Sequence, residues 1–192
     1  SGLEFASPSP GTVGGGVVMN AGAYGGSIDQ VIREVRVMSP DGVSEVWPAR
    51  DMQFGYRTSR LQGTGAIVLE ATLTLTPGQP EEINKVMAEH LARRRASQPL
   101  AWPNAGSIFR NPSGQSAGRL IDEAGGKGLR EGEAQVSPLH ANFIVNLGSA
   151  TARDVLNLMT RVRELVLSRS GVVLEPEIKI WGPNEYFPGA FP

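Results

Sequence analysis

The stretch PGTVGGGVVMNAGAYGG, residues 10–26, decides how the rest of the chain is read. Gly11, Gly14, Gly15, Gly16, Gly22, Gly25 and Gly26 crowd into it, yet Val13, Val17, Val18, Met19 and Tyr24 are threaded between them. A flexible linker would carry no such apolar residues, so this is a folded segment whose backbone must come close to something. Two common glycine signatures fail here. The dinucleotide pattern GxGxxG breaks after Gly14 and Gly16 because Met19 follows, and the P-loop pattern from Gly11 to Gly16 has Val17 where lysine is required. Glycines serving tight turns of a β-rich domain and a phosphate cradle of another architecture both fit.

Downstream, residues 31–38 form a β-rich run, Ser39-Pro40-Asp41-Gly42 a turn, and residues 43–47 a returning strand. Residues 66–76 alternate as a half-buried strand does. Pro77-Gly78-Gln79-Pro80 then breaks the chain and sets the expected domain boundary. A helix is expected over residues 81–96, with acids in its first turn, Ile83, Val86, Met87 and Leu91 on one face, and Arg93, Arg94 and Arg95 at its end. A shorter helix is expected over residues 116–123, stopped by Gly125-Gly126, and an apolar strand over 143–147. The clearest helix runs over residues 151–168, capped by Thr151 with Asp154 three residues on. Its stripe is Val155, Leu158, Met159, Val162, Leu165 and Val166, and Gly171 ends it. Residues 172–174 and 178–181 read as closing strands, residues 183–192 as a tail, and no internal repeat is visible.

Composition removes several functions. The 192 residues contain no cysteine, which excludes disulfides, thiolate catalysis and cysteine-based zinc sites. Only His90 and His140 could build a histidine metal centre, so no metal site is expected. A net charge of −1 offers no basic field for nucleic acid. No apolar run approaches the ~18 residues of a membrane helix. A cytoplasmic location follows as an expectation, and oligomeric state is left open.

Three polar constellations remain. Phe54-Gly55-Tyr56-Arg57-Thr58-Ser59 sets an arginine in a loop, suited to a carboxylate or phosphate, though a solvated arginine reads the same way. Residues 104–112 gather polar groups around Ser107 without the GxSxG elbow. Leu174-Glu175-Pro176-Glu177-Ile178-Lys179 carries two carboxylates in a late strand.

The ordered strings PGTVGGGVVMNAGAYGG, FGYRTS, NAGSIFRNP, AGRLIDEAGGKG, AQVSPLHANFIVN and LEPEIKIWG resemble the UDP-N-acetylenolpyruvoylglucosamine reductase family, in its compact form, over residues 2–182. The resemblance implies an α+β chain: the second half of a vanillyl-alcohol-oxidase-type FAD-binding domain over residues 1–78, and a substrate-binding domain over 79–182. It implies an enzyme, an oxidoreductase with bound FAD and NADPH as co-substrate. That enzyme reduces a small-molecule UDP-sugar, the enolpyruvyl ether of UDP-N-acetylglucosamine, to UDP-N-acetylmuramate for peptidoglycan. Pro10, Gly11, Thr12, Gly14, Gly15, Val18, Asn20 and Gly22 then match the flavin loop. Arg57, Ser107 and Glu177 match the catalytic residues, and Tyr24, Arg110, Asn111, Gln135 and His140 match substrate contacts. Glu175 is expected to be structural or exposed.

In the family pattern Gly-Ile-Pro-Gly precedes the TVGG string, whereas this chain has Ser7-Pro8-Ser9-Pro10. The family's first flavin subdomain, roughly another domain's length, is not in the sequence, which is therefore expected to be a C-terminal portion. A degenerate, non-catalytic UDP-sugar-binding module is the alternative. A flavin oxidase of the same superfamily is disfavoured, because no His or Cys in the glycine loop could link a flavin covalently.

Overall fold

The computed structural model describes residues 1–182, so the expected tail over residues 183–192 lies outside the described residues. The chain is mixed α/β and divides into two compact units, one covering Ser1–Arg94 and the other beginning at Arg95. The expected boundary at Pro77–Pro80 lies earlier, because the helix that follows it adds to the first unit: Ile83 and Met87 line that unit's cavity and His90 stacks on Tyr24.

In the first unit, helix α1 (Val13–Val18) follows the N-terminal loop, and the short hairpin strands β1 (Gly22–Ala23) and β2 (Gly26–Ser27) come next. Strands β3 (Ile32–Met38), β4 (Ser44–Pro48) and β5 (Ile67–Leu73) form an antiparallel sheet in the order β4-β3-β5. The expected turn joins β3 to β4, with Gly42 at φ +85°. Alternation of Ile32, Val35 and Val37 buries one face of β3 in a core with Phe5, Val17, Ile28, Met52 and Leu61. Helix α2 (Pro80–Ser97) has none of its residues buried, and its apolar positions Met87 and Leu91 stay partly exposed.

In the second unit, helix α3 (Ala117–Glu123) begins on Ser116, whose hydroxyl accepts from the Arg119 amide. Strands β6 (Arg130–Glu131), β7 (Ala134–Val136) and β8 (Ile144–Asn146) make an antiparallel sheet. Helix α4 (Ala152–Ser170) has the expected capping box, in which the Thr151 hydroxyl accepts from the Asp154 amide and the Asp154 carboxylate from the Thr151 amide. Gly171 closes it at φ +72°, a conformation that favours glycine. Its core stripe is Leu156, Leu158, Met159, Val162 and Val166, so Leu156 joins the set, and Val155 and Leu165 are only half-buried.

Two expectations fail. Residues 13–18 form a helix despite Gly14, Gly15 and Gly16, each costing roughly 1 kcal/mol against alanine in a helix. Two features offset that cost. The Thr12 hydroxyl accepts from the Gly15 amide at 3.1 Å, and Val17 is fully buried. Residues 172–174 and 178–181 are not strands. Among the described residues of this segment only Pro176 is bridged, to Phe109, between the backbone bonds of Glu175 and Glu177.

Candidate active site

The first unit holds a cavity of about 840 Å³, lined on one wall by Pro10, Gly11, Thr12, Val13, Gly15 and Gly16. Leu73, Leu75, Ile83 and Met87 give it further apolar walls. Gly11 sits at φ +138° with open space where a Cβ would be, a backbone that only glycine adopts without strain. At the start of α1 the amides of Val13 and Gly14 have no intrahelical partner, and the first turn carries no acid. Exposed backbone donors beside an apolar hollow suit a ligand that joins phosphate to flat rings. The chain therefore fits part of a dinucleotide such as FAD.

The other matched residues of the glycine stretch do a different job. Asn20 is 5% exposed, donates from Nδ2 to the Gly55 carbonyl and accepts the Asp29 amide at Oδ1, both at 3.0 Å. The Val18 carbonyl accepts from the Ser59 hydroxyl and from Gln62 Nε2, and the Gly22 carbonyl accepts from Arg57 Nη2 at 2.8 Å. Gly14 packs on Val68 of β5, with 3.5 Å left for a Cβ. Pro10, Gly11, Thr12 and Gly15 thus face the cavity, while Val18, Asn20 and Gly22 anchor the Arg57 loop to it.

That loop is a tight reversal. Gly55 and Thr58 exchange backbone hydrogen bonds at 3.1 and 3.3 Å, leaving Tyr56 and Arg57 at the tip. Arg57 adopts φ +55°, costing roughly 1–2 kcal/mol for a side chain of its kind. Gln62 Nε2 holds the strained residue's carbonyl at 2.9 Å, and the guanidinium lies 5.3 Å from the Tyr56 ring. As a non-glycine residue held in this conformation by surrounding hydrogen bonds, Arg57 is a candidate functional position. Tyr24, at φ +53° in the β1–β2 turn, shows the same sign, and its ring stacks on His90 at 4.3 Å between centroids.

In the second unit, residues 107–110 lie between two flanking segments. On one side the Ile108 amide donates to the Asn142 carbonyl at 2.9 Å. On the other the Glu177 amide donates to the Ile108 carbonyl at 2.7 Å and the Arg110 amide to the Glu175 carbonyl at 2.8 Å. The structure therefore brings Ser107, Arg110 and Glu177 onto neighbouring strands of backbone, with Ser107 and Glu177 half-buried and Glu175 exposed. Arg110 has a buried Nε with no hydrogen-bond partner. Asn111 spends its Oδ1 on the Ala117 amide at the start of α3.

His140 is half-buried and meets the Phe143 ring edge-on at 4.7 Å. Burial holds its imidazole below the usual histidine range, with the Lys127 charge acting the same way against an opposing backbone hydrogen bond. Gln135 stands apart in the middle of β7, where it lines a separate hollow of about 490 Å³ with Trp102 and Leu139. Ser107, Arg110 and Glu177 do not line that hollow.

Sequence reading missed Ser59 and Gln62, whose only signal was proximity to Arg57, and Asn142, a polar residue inside the otherwise apolar run ANFIV of residues 141–145. Among the described residues no helix is long and apolar enough to cross a membrane, and no group of acids and histidines could hold a metal ion.

Residues 98–181 match the family described as UDP-N-acetylenolpyruvoylglucosamine reductase, C-terminal domain. A protein of Symbiobacterium thermophilum named UDP-N-acetylenolpyruvoylglucosamine reductase 2 is 58% identical over 187 residues, covering 97% of this chain and 61% of that protein. A reductase of the same name from Moorella thermoacetica is 49% identical, covering 94% of this chain and 60% of its own length. The crystal structure of UDP-N-acetylenolpyruvylglucosamine reductase from Thermus caldophilus superposes with a TM-score of 0.82 at 44% identity, covering 95% of this chain and 65% of that one. The chain thus spans about three fifths of the length of these curated relatives.

Proposed function

Because the chain belongs to the UDP-N-acetylenolpyruvoylglucosamine reductase family, we propose that it forms the larger part of an FAD-dependent, NADPH-using reductase. Its substrate would be the enolpyruvyl ether of UDP-N-acetylglucosamine, its product UDP-N-acetylmuramate, and its setting cytoplasmic peptidoglycan synthesis. Residues 1–78 would be the second FAD-binding subdomain and residues 79–182 the substrate-binding domain, with most of α2 packed in the first compact unit. Pro10, Gly11, Thr12 and Gly15 would hold the cofactor along the 840 Å³ cavity, with Gly14, Val18, Asn20 and Gly22 supporting that wall. A flavin held there would supply hydride chemistry.

The chain's own residues do the rest. Arg57 would take the substrate carboxylate, on which negative charge builds as hydride reaches the vinyl carbon. Its guanidinium is set in advance by the Gly22 carbonyl, so little reorganisation is left for the reaction itself. Ser107 Oγ would give a proton to the neighbouring carbon, completing addition of one hydride and one proton across the double bond. A serine hydroxyl is a weak acid, so this requires a strongly basic carbon and exclusion of water. Glu177 would assist at the same centre. Tyr24, Arg110, Asn111, Gln135 and His140 are assigned to the nucleotide sugar, His140 as an uncharged group.

The observation that carries this reading is the pairing of the Ser107 segment with Glu177 through the 2.7 Å bond from the Glu177 amide to Ile108. That bond sets the backbone of Glu177 against the residue next to Ser107, which supports assigning both to one centre. The test is NADPH consumption by the full-length gene product with the enolpyruvyl nucleotide, before and after Ser107→Ala. Turnover lost in the variant supports the assignment, and unchanged turnover rejects it. Protein without flavin absorbance that still binds the UDP-sugar in a calorimetric titration would point to the non-catalytic binding module instead.

A further inference from the structure

Asn142 is 3% exposed, and every polar group it carries is engaged. Its side-chain amide grips one residue from both sides: Oδ1 accepts the Phe109 amide at 3.0 Å, and Nδ2 donates to the Phe109 carbonyl at 2.8 Å. Its backbone carbonyl accepts the Ile108 amide at 2.9 Å. Its own amide donates to His140 Nδ1 at 3.2 Å. A backbone amide can only donate, so Nδ1 must carry the lone pair and the ring proton must sit on Nε2. Gly118 of α3 leaves the room this arrangement needs, since a Cβ there would come within 3.2 Å of His140 Cε1 and 3.6 Å of Asn142 Cβ.

From this geometry we infer that Asn142 is a positioning residue that sets Ser107 and His140 in register. The clamp on Phe109 fixes the backbone two residues after Ser107, and the bond to Nδ1 fixes His140 as an uncharged imidazole offering an Nε2–H donor. Such a donor is complementary to an acceptor oxygen of a ligand. The inference rests on the proposed placement of Ser107 and His140 in the substrate site. The clamp itself does not depend on it. A side-chain amide is the fitting group because it offers one acceptor and one donor on a planar fork, matching the outward amide and carbonyl of an extended residue. Aspartate keeps the acceptor but faces the Phe109 carbonyl with negative charge, and alanine leaves both buried groups of Phe109 unpaired.

The experiment has two arms. In the first, nitrogen-15 NMR of the wild-type chain reads the tautomer of His140, with His90→Gln used for assignment, and hydrogen exchange reads the Ile108 and Phe109 amides. The expected result is an Nε2-protonated ring and slow exchange at both amides. An Nδ1-protonated ring, or rapid exchange at Phe109, overturns the inference.

In the second arm, Asn142→Ala and Asn142→Asp are placed in the full-length flavin-loaded protein and the two half-reactions are followed separately. Reduction of the flavin by NADPH is expected to stay within twofold of wild type, whereas its reoxidation by the enolpyruvyl nucleotide slows tenfold or more. A folded variant with both rates unchanged overturns the inference, and if neither variant folds the NMR arm decides alone. Should the wild-type protein fail to be reoxidised by that nucleotide, the proposed function falls, while the tautomer and exchange results still decide the clamp.

Discussion

Arg57 gives the sharpest separation between a residue kept for the fold and one kept for chemistry. It occupies φ +55° and donates to the Gly22 carbonyl at 2.8 Å. Arg57→Ala removes the guanidinium but leaves a Cβ in the left-handed region, so the backbone strain of roughly 1–2 kcal/mol stays. Arg57→Gly removes the same side chain and the strain with it, against about 0.5–1 kcal/mol of extra chain entropy lost on folding. Both variants forfeit every side-chain contact of Arg57, including a charged hydrogen bond worth roughly 1.5 kcal/mol, so the difference between them isolates the backbone. Arg57→Gly should therefore be more stable than Arg57→Ala by about 0.5–1 kcal/mol in urea unfolding, with m-values unchanged. Turnover should fall in both by about 10²–10³-fold, the usual cost of losing one preorganised charge-stabilising donor. Equal stability of the two variants would refute the strain argument. Wild-type turnover in either would refute the catalytic assignment.

Gln62→Ala removes the bond to the Arg57 carbonyl and one of the two bonds to the Val18 carbonyl, and should cost about 1–2 kcal/mol; steady-state kinetics should show a lowered kcat from the loosened Arg57 loop. Thr151→Ala removes the N-cap of α4 and should lower stability by about 1 kcal/mol, read by thermal unfolding. Burial holds His140 below its ordinary value of 6.5, so the unfolded chain takes up the proton first as pH falls. The neutral ring's contribution is present above pH 6.5 and is lost as pH drops from there toward the lowered value. Denaturation as a function of pH should show this loss, and His140→Gln should flatten it.

Much of the fold was legible because one signal dominated each element. Alternation in β3 and the turn at Ser39–Gly42 specify the first hairpin, and the capping box with Gly171 brackets α4. Helix α1 was not legible, because three glycines argue against a helix and only a buried Val17 and the Thr12 cap override them. The closing strands failed for the opposite reason. Their composition is β-like, but among the described residues a single bridge, Pro176 to Phe109, is all that forms.

At the candidate site, only the resemblance of short strings to the family implied roles for Arg57, Ser107 and Glu177, while the residues that hold them were invisible. Asn142 and Gln62 act through backbone partners 33 and 44 positions away, Phe109 and Val18, and no local pattern encodes such a pairing. The cavity wall was half legible. The glycines read as a close-approach surface, but the sequence could not separate Gly11, which faces the hollow, from Asn20, which is buried beneath the Arg57 loop.

The central claim is that this chain carries the proton donor and the charge-stabilising arginine of a flavin-dependent reductase. Anaerobic stopped-flow absorbance of the full-length gene product tests it most directly. Flavin should bleach with NADPH in wild type and in Ser107→Ala alike, and recover on mixing with the enolpyruvyl nucleotide in wild type only. Recovery at the wild-type rate in Ser107→Ala, or no flavin signal to follow, would contradict the account.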